Sequence, residues 1–203
     1  MRYNSLVTGA RTLHPPFRRV PWKNGLGSTL ELATDASEPG GPWTWRLSVA
    51  DVPARGPFSR FDGVERHLAA LEGAGMRLWP AGATEPREVP VEGAALRFEG
   101  EEALEGEPLG AGVRDLNLMC VRSAWRGALR VMRGRSPALS LRADVSLAYL
   151  HAAPAPIDIE ADGERLALAP GSLVVASWIA LPTLDAGTVL AAARIARARH
   201  ALA

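Results

Sequence analysis

Hydrophobic and polar positions alternate with a period of two along much of this chain. In WTWRLSVADV, Trp43, Trp45, Leu47 and Val49 alternate with Thr44, Arg46, Ser48 and Ala50, which is the period expected when successive side chains take opposite faces of a strand. RDLNLMCV repeats the pattern, with Leu116, Leu118 and Cys120 on one face and Asp115, Asn117 and Met119 on the other. Further on, Ile157 and Ile159, an Asp162-Gly163 pair of hairpin type, Leu166 and Leu168, and a third apolar run after Pro170-Gly171 predict a meander of short antiparallel strands. The 16 prolines and 20 glycines recur between such runs and leave room for only a few short helices. The expected fold class is all-β.

Other segments are less one-sided. VLAAARIARARHALA at the C-terminus reads either as a helix of good helix formers or as a strand through Val189 and Leu190 followed by a basic tail. Glu85 to Glu107 carries eight glutamates against two arginines, the composition of a solvated edge or loop. In GPFSRFDGVERHLAALEGAGMRLW, Phe58 and Phe61 anchor a loop, Arg66 leads into a strand, and Glu72-Gly73 marks a hairpin corner. Strand-rich halves, 1–110 and 111–203, suggest two related barrels in a single unit spanning 1–203.

Composition narrows the function classes. The formal net charge of +1, with arginines scattered among nearly as many carboxylates, supplies no field for nucleic acid. The single cysteine, Cys120, allows no internal disulfide and no thiolate metal site. No apolar run approaches the roughly 20 residues that span a bilayer, and the N-terminus lacks a signal-peptide core. A cytoplasmic protein with no membrane partner is expected. The four histidines, His14, His67, His151 and His200, form no HxH pair and no HExxH helix. Neither a metal nor another cofactor is expected. No GxSxG elbow occurs, and NGLGS is only half of a nucleotide loop.

What remains is polar residues at strand positions. Arg46 with Ser48, and Asp115 with Asn117, either meet solvent or line a barrel interior. Lys23 adds a different signal, being the one lysine in a chain with 22 arginines. It stands in PWKNGLGSTLE beside Trp22 and Asn24, and Asn24 and Asn117 are two of only three asparagines. An ammonium is a compact, mobile charge where a guanidinium is a rigid fork. Lys23 therefore either enters a pocket walled by Trp22 and Asn24, or staples the first strand by pairing with Glu31.

In order and spacing, PWKNGLGSTLELA, WTWRLSVADVPARGPFSRFDGVERHLAALEGAGMRLW, RDLNLMCVR and LAPGSLVV resemble the HutD/Ves family of cupin-like proteins. The resemblance covers most of the chain. It implies a bicupin, two antiparallel β-barrels of cupin type in one chain, without the usual metal-binding histidines. It also implies a role in regulating histidine utilisation, with a small acidic metabolite such as formiminoglutamate as ligand, and it brings no established reaction. Two positions depart from the family pattern: Gly25-Leu26-Gly27 stands where three glycines are usual, and Ser172 where an aspartate is common.

The expected ligand site comprises Trp22, Lys23, Asn24, Arg46, Ser48, Arg66, Asp115 and Asn117, with cationic groups that favour an anionic small molecule. Two readings of that site stay open. One is a binding or sensing module without chemistry of its own. The other is a metal-free isomerase, epimerase or hydrolase in which Lys23 or His67 moves a proton while amide and guanidinium hold the substrate. Sheet edges of such barrels commonly pair, so a homodimer is the expected association.

Overall fold

Residues 9–22 and 27–198 are described by the structure, a computed structural model. Strands β1 (Arg11–Leu13), β2 (Arg18–Pro21), β3 (Ser28–Thr34), β4 (Trp45–Val52), β5 (Gly56–Pro57) and β6 (Val64–Gly73) open the chain. They are followed by β7 (Met76–Pro80), β8 (Arg87–Val89), β9 (Gly93–Ala94), β10 (Leu96–Glu99), β11 (Leu104–Pro108) and β12 (Val113–Val121). The remaining strands are β13 (Trp125–Arg133), β14 (Leu139–Ala152), β15 (Ile157–Ala161), β16 (Glu164–Leu168), β17 (Leu173–Leu181) and β18 (Val189–Arg197). The described residues contain no helix, so the fold is all-β and the few short helices expected are not found. Accordingly, no helix is long and apolar enough to cross a membrane.

The strands form three antiparallel sheets. A six-stranded sheet runs β10-β6-β12-β4-β3-β2, and a four-stranded sheet runs β5-β11-β7-β8. An eight-stranded sheet runs β16-β15-β17-β14-β18-β13-β9, with β1 paired to β17 beside that path. The period-two pattern explains how they pack. Trp45, Leu47 and Val49 of β4, Ala69 and Leu71 of β6, and Leu116, Leu118 and Cys120 of β12 all turn one way. There they meet Leu147, Leu173, Ala193 and Ile195 of the eight-stranded sheet in the inter-sheet core. The opposite face of the six-stranded sheet offers Val52, Leu68, Ala70 and Val113 to Met76, Leu78 and Leu104 of the four-stranded sheet, which closes the first barrel. A third cluster, including Leu141, Leu150, Ile159, Leu168 and Ile179, fills the second barrel.

The chain does not divide at residue 110. Strand β12 sits inside the six-stranded sheet between β6 and β4, whereas β1 and β9 pair with strands of the eight-stranded sheet. The C-terminal segment is a strand, and it extends well past Leu190 to Arg197. Three successive alanines are buried on both faces, with Ala191 and Ala193 in the inter-sheet core and Ala192 in the second barrel. A strand between two cores is apolar on both faces, and that hides its period.

Three local expectations change. The Asp162-Gly163 turn joins β15 to β16 as a hairpin, with φ of 48° and 86° at the two residues; yet β17 returns beside β15 rather than β16, so the three strands are not a meander. Glu72-Gly73 is a corner, not a hairpin, because β6 and β7 belong to different sheets. Gly73 has φ of 91°, and a Cβ there would lie 2.5 Å from the Gly112 carbonyl oxygen. The acidic segment 85–107 holds β8, β9, β10 and most of β11. Val89, Phe98 and Leu104 anchor it in the first barrel while the glutamates pair outward with Arg77, Arg87, Arg97 and Arg122.

Leu118 is fully buried between the sheets. Leu118→Ala is expected to cost about 2–5 kcal/mol, read by urea denaturation, because the rigid sheets cannot collapse onto the lost volume.

Candidate functional site

The side chains of β4, β6 and β12 that turn away from the inter-sheet core enter the first barrel. Part of that barrel is filled by apolar residues; the rest is a cavity of about 590 Å³. Trp22, Arg46, Ser48, Arg66, Asp115 and Asn117 all line it. Lys23 and Asn24 lie outside the described residues. The register accounts for the convergence: Ser48 stands directly across from Asn117, and Arg46 across from Met119. Met119 in turn stands across from Arg66 on β6, so the three central strands present their polar residues side by side. A bulge between Arg114 and Asp115 in the pairing with β6 lies at the same place, in keeping with the tendency of bulges to re-aim a side chain beside a site.

Trp22 forms one wall. Its indole N–H donates to Thr29 Oγ1 at 2.8 Å and its backbone N–H to the Gly27 carbonyl at 2.9 Å. The ring packs so closely on Gly27 that a Cβ there would lie 2.9 Å from it. Glu31, considered above as a partner for Lys23, is paired with Arg18 at 3.0 Å.

The two arginines are stacked rather than salt-bridged. The Arg66 guanidinium carbon lies 5.0 Å from the ring centre of Phe98, 5.2 Å from Phe58 and 5.7 Å from Phe61. That of Arg46 lies 5.0 Å from Trp43 and 5.9 Å from Phe61. Aromatic faces attract a cation without consuming its N–H donors. Arg66 Nη1 donates to the Ser59 carbonyl at 3.1 Å, and Arg46 Nη2 points at Met119 Sδ at 3.3 Å, a weak acceptor. Burial pushes Arg66 down to about 10 and also lowers Arg46. Burial likewise lifts the Asp115 carboxyl from 3.8 to about 7, against the pull of Arg66.

Among the described residues, five buried side-chain polar atoms have no hydrogen-bond partner in the protein. Four of them belong to residues that line this cavity: Arg46 Nε, Arg66 Nε, Asp115 Oδ1 and Asn117 Oδ1. Native proteins leave few such atoms, and four in one place is the pattern expected where ordered water or a ligand completes the hydrogen bonding.

His67 is not among the groups that meet there. As its parity on β6 dictates, it turns to the opposite face, where it is hydrogen-bonded to buried Glu65 at 2.9 Å. Burial lowers its pKa in spite of that carboxylate. Glu65 is also held by Arg97, and the hydrogen bonds from His67 and Arg97 keep it ionised against burial. The proton-moving role considered for His67 has no geometric basis in this cavity. The described residues contain no group of three His, Cys, Asp or Glu placed to hold a metal ion. Of the aromatic cage of Phe58, Phe61 and Phe98, sequence reading assigned the first two only to loop anchoring and did not single out Phe98. The cage's signal is present in the aromatic pair three residues apart just ahead of Arg66.

The HutD family model matches residues 14–191. The chain belongs to the HutD family. An uncharacterised 21.2 kDa protein from the hutC 3′ region of Pseudomonas putida is 34% identical over 150 residues, which are 74% of this chain and 76% of that one. Protein Ves from Citrobacter koseri is 31% identical over 121 residues, 56% of this chain and 60% of its own length. Among solved structures, a conserved protein of unknown function from Pseudomonas aeruginosa PAO1 superposes with a TM-score of 0.79 at 29% identity, covering 93% of this chain and 100% of that one. HutD from Pseudomonas fluorescens SBW25, in a formate condition, gives 0.69 at 25%, covering 94% and 100%. At 9% identity, a pirin from Escherichia coli with nickel(II) shows the shared cupin fold alone, with a TM-score of 0.54 over 91% of this chain and 97% of that one.

Of the two departures from the HutD pattern, Gly25-Leu26 lies outside the described residues. Ser172 is buried near the start of β17 and hydrogen-bonded to His14 at 2.9 Å; neither residue lines the cavity.

Because the folded chain raises the Asp115 pKa, the stability gained from its protonated form is present below about pH 4 and is lost as pH rises through about 7. Asp115→Asn keeps position 115 neutral at every pH. It is expected to exceed the parent protein in stability by about 1–4 kcal/mol at pH 8 and to match it at pH 4, measured by urea denaturation at both.

Proposed function

We propose that this HutD-family protein binds a small anionic metabolite in the cavity of its first barrel and serves as a sensor linked to histidine utilisation. Formiminoglutamate is the first candidate ligand. One observation carries the reading: the guanidinium groups of buried Arg66 and half-buried Arg46, each with an unpartnered Nε, converge in one cavity with an amide and a carboxyl group. A guanidinium presents a fork that matches a carboxylate, so Arg46 and Arg66 can bind and orient an acid. The aromatic rings behind them hold the forks in place and exclude water, which strengthens the contact. Asn117 and Ser48 can then read neighbouring polar groups of the ligand. The names of the Pseudomonas relatives, one from the hutC 3′ region and one called HutD, support the pathway part of the proposal.

A second reading is favoured by Asp115 alone. A carboxyl group that titrates near pH 7 is suited to moving a proton, so a metal-free isomerase, epimerase or hydrolase would use Asp115 in place of His67.

A thermal-shift screen with formiminoglutamate, urocanate, glutarate and formate tests binding, and NMR of the same mixtures tests turnover. Binding should stabilise the protein by about 2.7 kcal/mol at a hundred-fold excess over Kd. Arg46→Met and Arg66→Met should each weaken binding about 10- to 100-fold by removing an ionic hydrogen-bond donor. Absence of stabilisation by every acid in the screen, or an unchanged Kd in the double variant, would defeat the proposal. Consumption of any of the four would establish the second reading.

A further inference from the structure

We infer that Asp115 is the internal counter-ion of the cavity and determines which anions it accepts: a dicarboxylate ligand enters together with one proton, which Asp115 takes. This rests on the anion-binding reading above and concerns what that binding does to the site.

Asp115 is 2% exposed and shares its cavity with the two guanidinium groups an acid would use. Its register neighbours on β4 and β6 are Ala50 and Ala70, so nothing polar flanks it across the ladder. The charged groups around it come from each surrounding element. Arg66 projects from β6 and Arg46 from β4. Asp51, at the end of β4, faces the other way and is held by Arg114 at 2.7 Å. The loop between β4 and β6 contributes Arg55, paired with Glu105 at 2.8 Å, and Arg60. Asn117, two positions along its own strand, is uncharged. Asp115 Oδ1 itself has no hydrogen-bond partner in the protein.

An incoming carboxylate competes with Asp115 for the same cations. Two carboxylates in a desolvated space repel, and such pairs resolve the conflict by sharing a proton. Asp115 is already close to that change, since burial holds its carboxyl near neutrality. Once protonated, it ceases to repel the ligand and gains an O–H that can donate to a ligand oxygen. The neighbouring Asn117 amide can do the same. Bound acid and internal acid then form a hydrogen-bonded pair between two guanidinium forks. For a diacid the charge arithmetic agrees: two cations and one ionised Asp115 carboxylate leave one excess positive charge, a dianion would turn this into one excess negative charge, and a proton on Asp115 restores neutrality.

The test uses the full chain and glutarate, a diacid without an N–H donor that could satisfy an ionised Asp115. Isothermal titration calorimetry in HEPES and in Tris at about pH 8 separates proton uptake from binding heat. Uptake approaching one proton per glutarate is expected at pH 8 and close to none at pH 5.5, with Kd weakening by about tenfold per pH unit above the titration. Asp115→Asn should show no uptake and a Kd independent of pH. A reading from the unaltered protein guards against misfolding of that variant: glutarate should bring up the infrared stretch of a protonated carboxyl group at pH 8. Glutarate binding without proton uptake, or without that band, would overturn the inference, as would failure of glutarate to bind at pH 5.5. If formiminoglutamate still stabilises the protein in that event, the anion-binding proposal stands and only the role of Asp115 falls.

Discussion

The central sheet is covered on both faces, and that constraint shapes everything else. Strands β4, β6 and β12 pack Leu47, Leu116, Leu118 and their neighbours against the eight-stranded sheet. Their other face therefore cannot be the solvated side of an ordinary antiparallel sheet. It must be filled with apolar groups, as it is around Met76 and Leu78, or it must enclose a space in which polar groups await partners. The cavity is the second solution. The cost of burying Arg46, Arg66 and Asp115 there is reflected in pKa values that all move toward the neutral form.

This explains how far the sequence could be read. Alternation in WTWRLSVADV and RDLNLMCV identified both strands and put Arg46 with Ser48, and Asp115 with Asn117, on common faces. It could not say whether those faces met water or enclosed a cavity, since both arrangements have the same period. The register that sets Ser48 against Asn117 is a tertiary fact. The C-terminal strand was ambiguous because a run of alanines suits a helix in isolation and a doubly buried strand in context. His67 attracted interest through its residue type, while its parity relative to Arg66 already assigned it to the other layer. Glu85 to Glu107 looked solvated because glutamates outnumber its apolar anchors, Val89, Phe98 and Leu104.

Arginine suits this site for a reason beyond charge. With Phe58, Phe61 and Phe98 around it, the Arg66 guanidinium is stabilised by aromatic rings that take none of its N–H donors, and of these Nη1 is engaged by the Ser59 carbonyl while Nε has no partner. A lysine could use the same rings only by pointing its ammonium at them. The cage thus separates what holds the cation from what the cation does. Phe58 is itself pinned, its ring lying against Gly106 of β11 where any Cβ would collide. The four-stranded sheet in this way supports the loop that bounds the cavity.

The exchange of short strands between sheets has a different outcome. Because β1 pairs with β17 and β9 with β13, while β12 lies between β6 and β4, neither barrel is a self-sufficient piece of chain. Severed near residue 110, each fragment would carry a raw hydrogen-bonding margin where its borrowed strand belongs, and such margins recruit other chains. Strand β1 must wait for the far later β17 before its pairing is complete. The two barrels are therefore expected to form and to melt as one event, tied by a segment only three residues long.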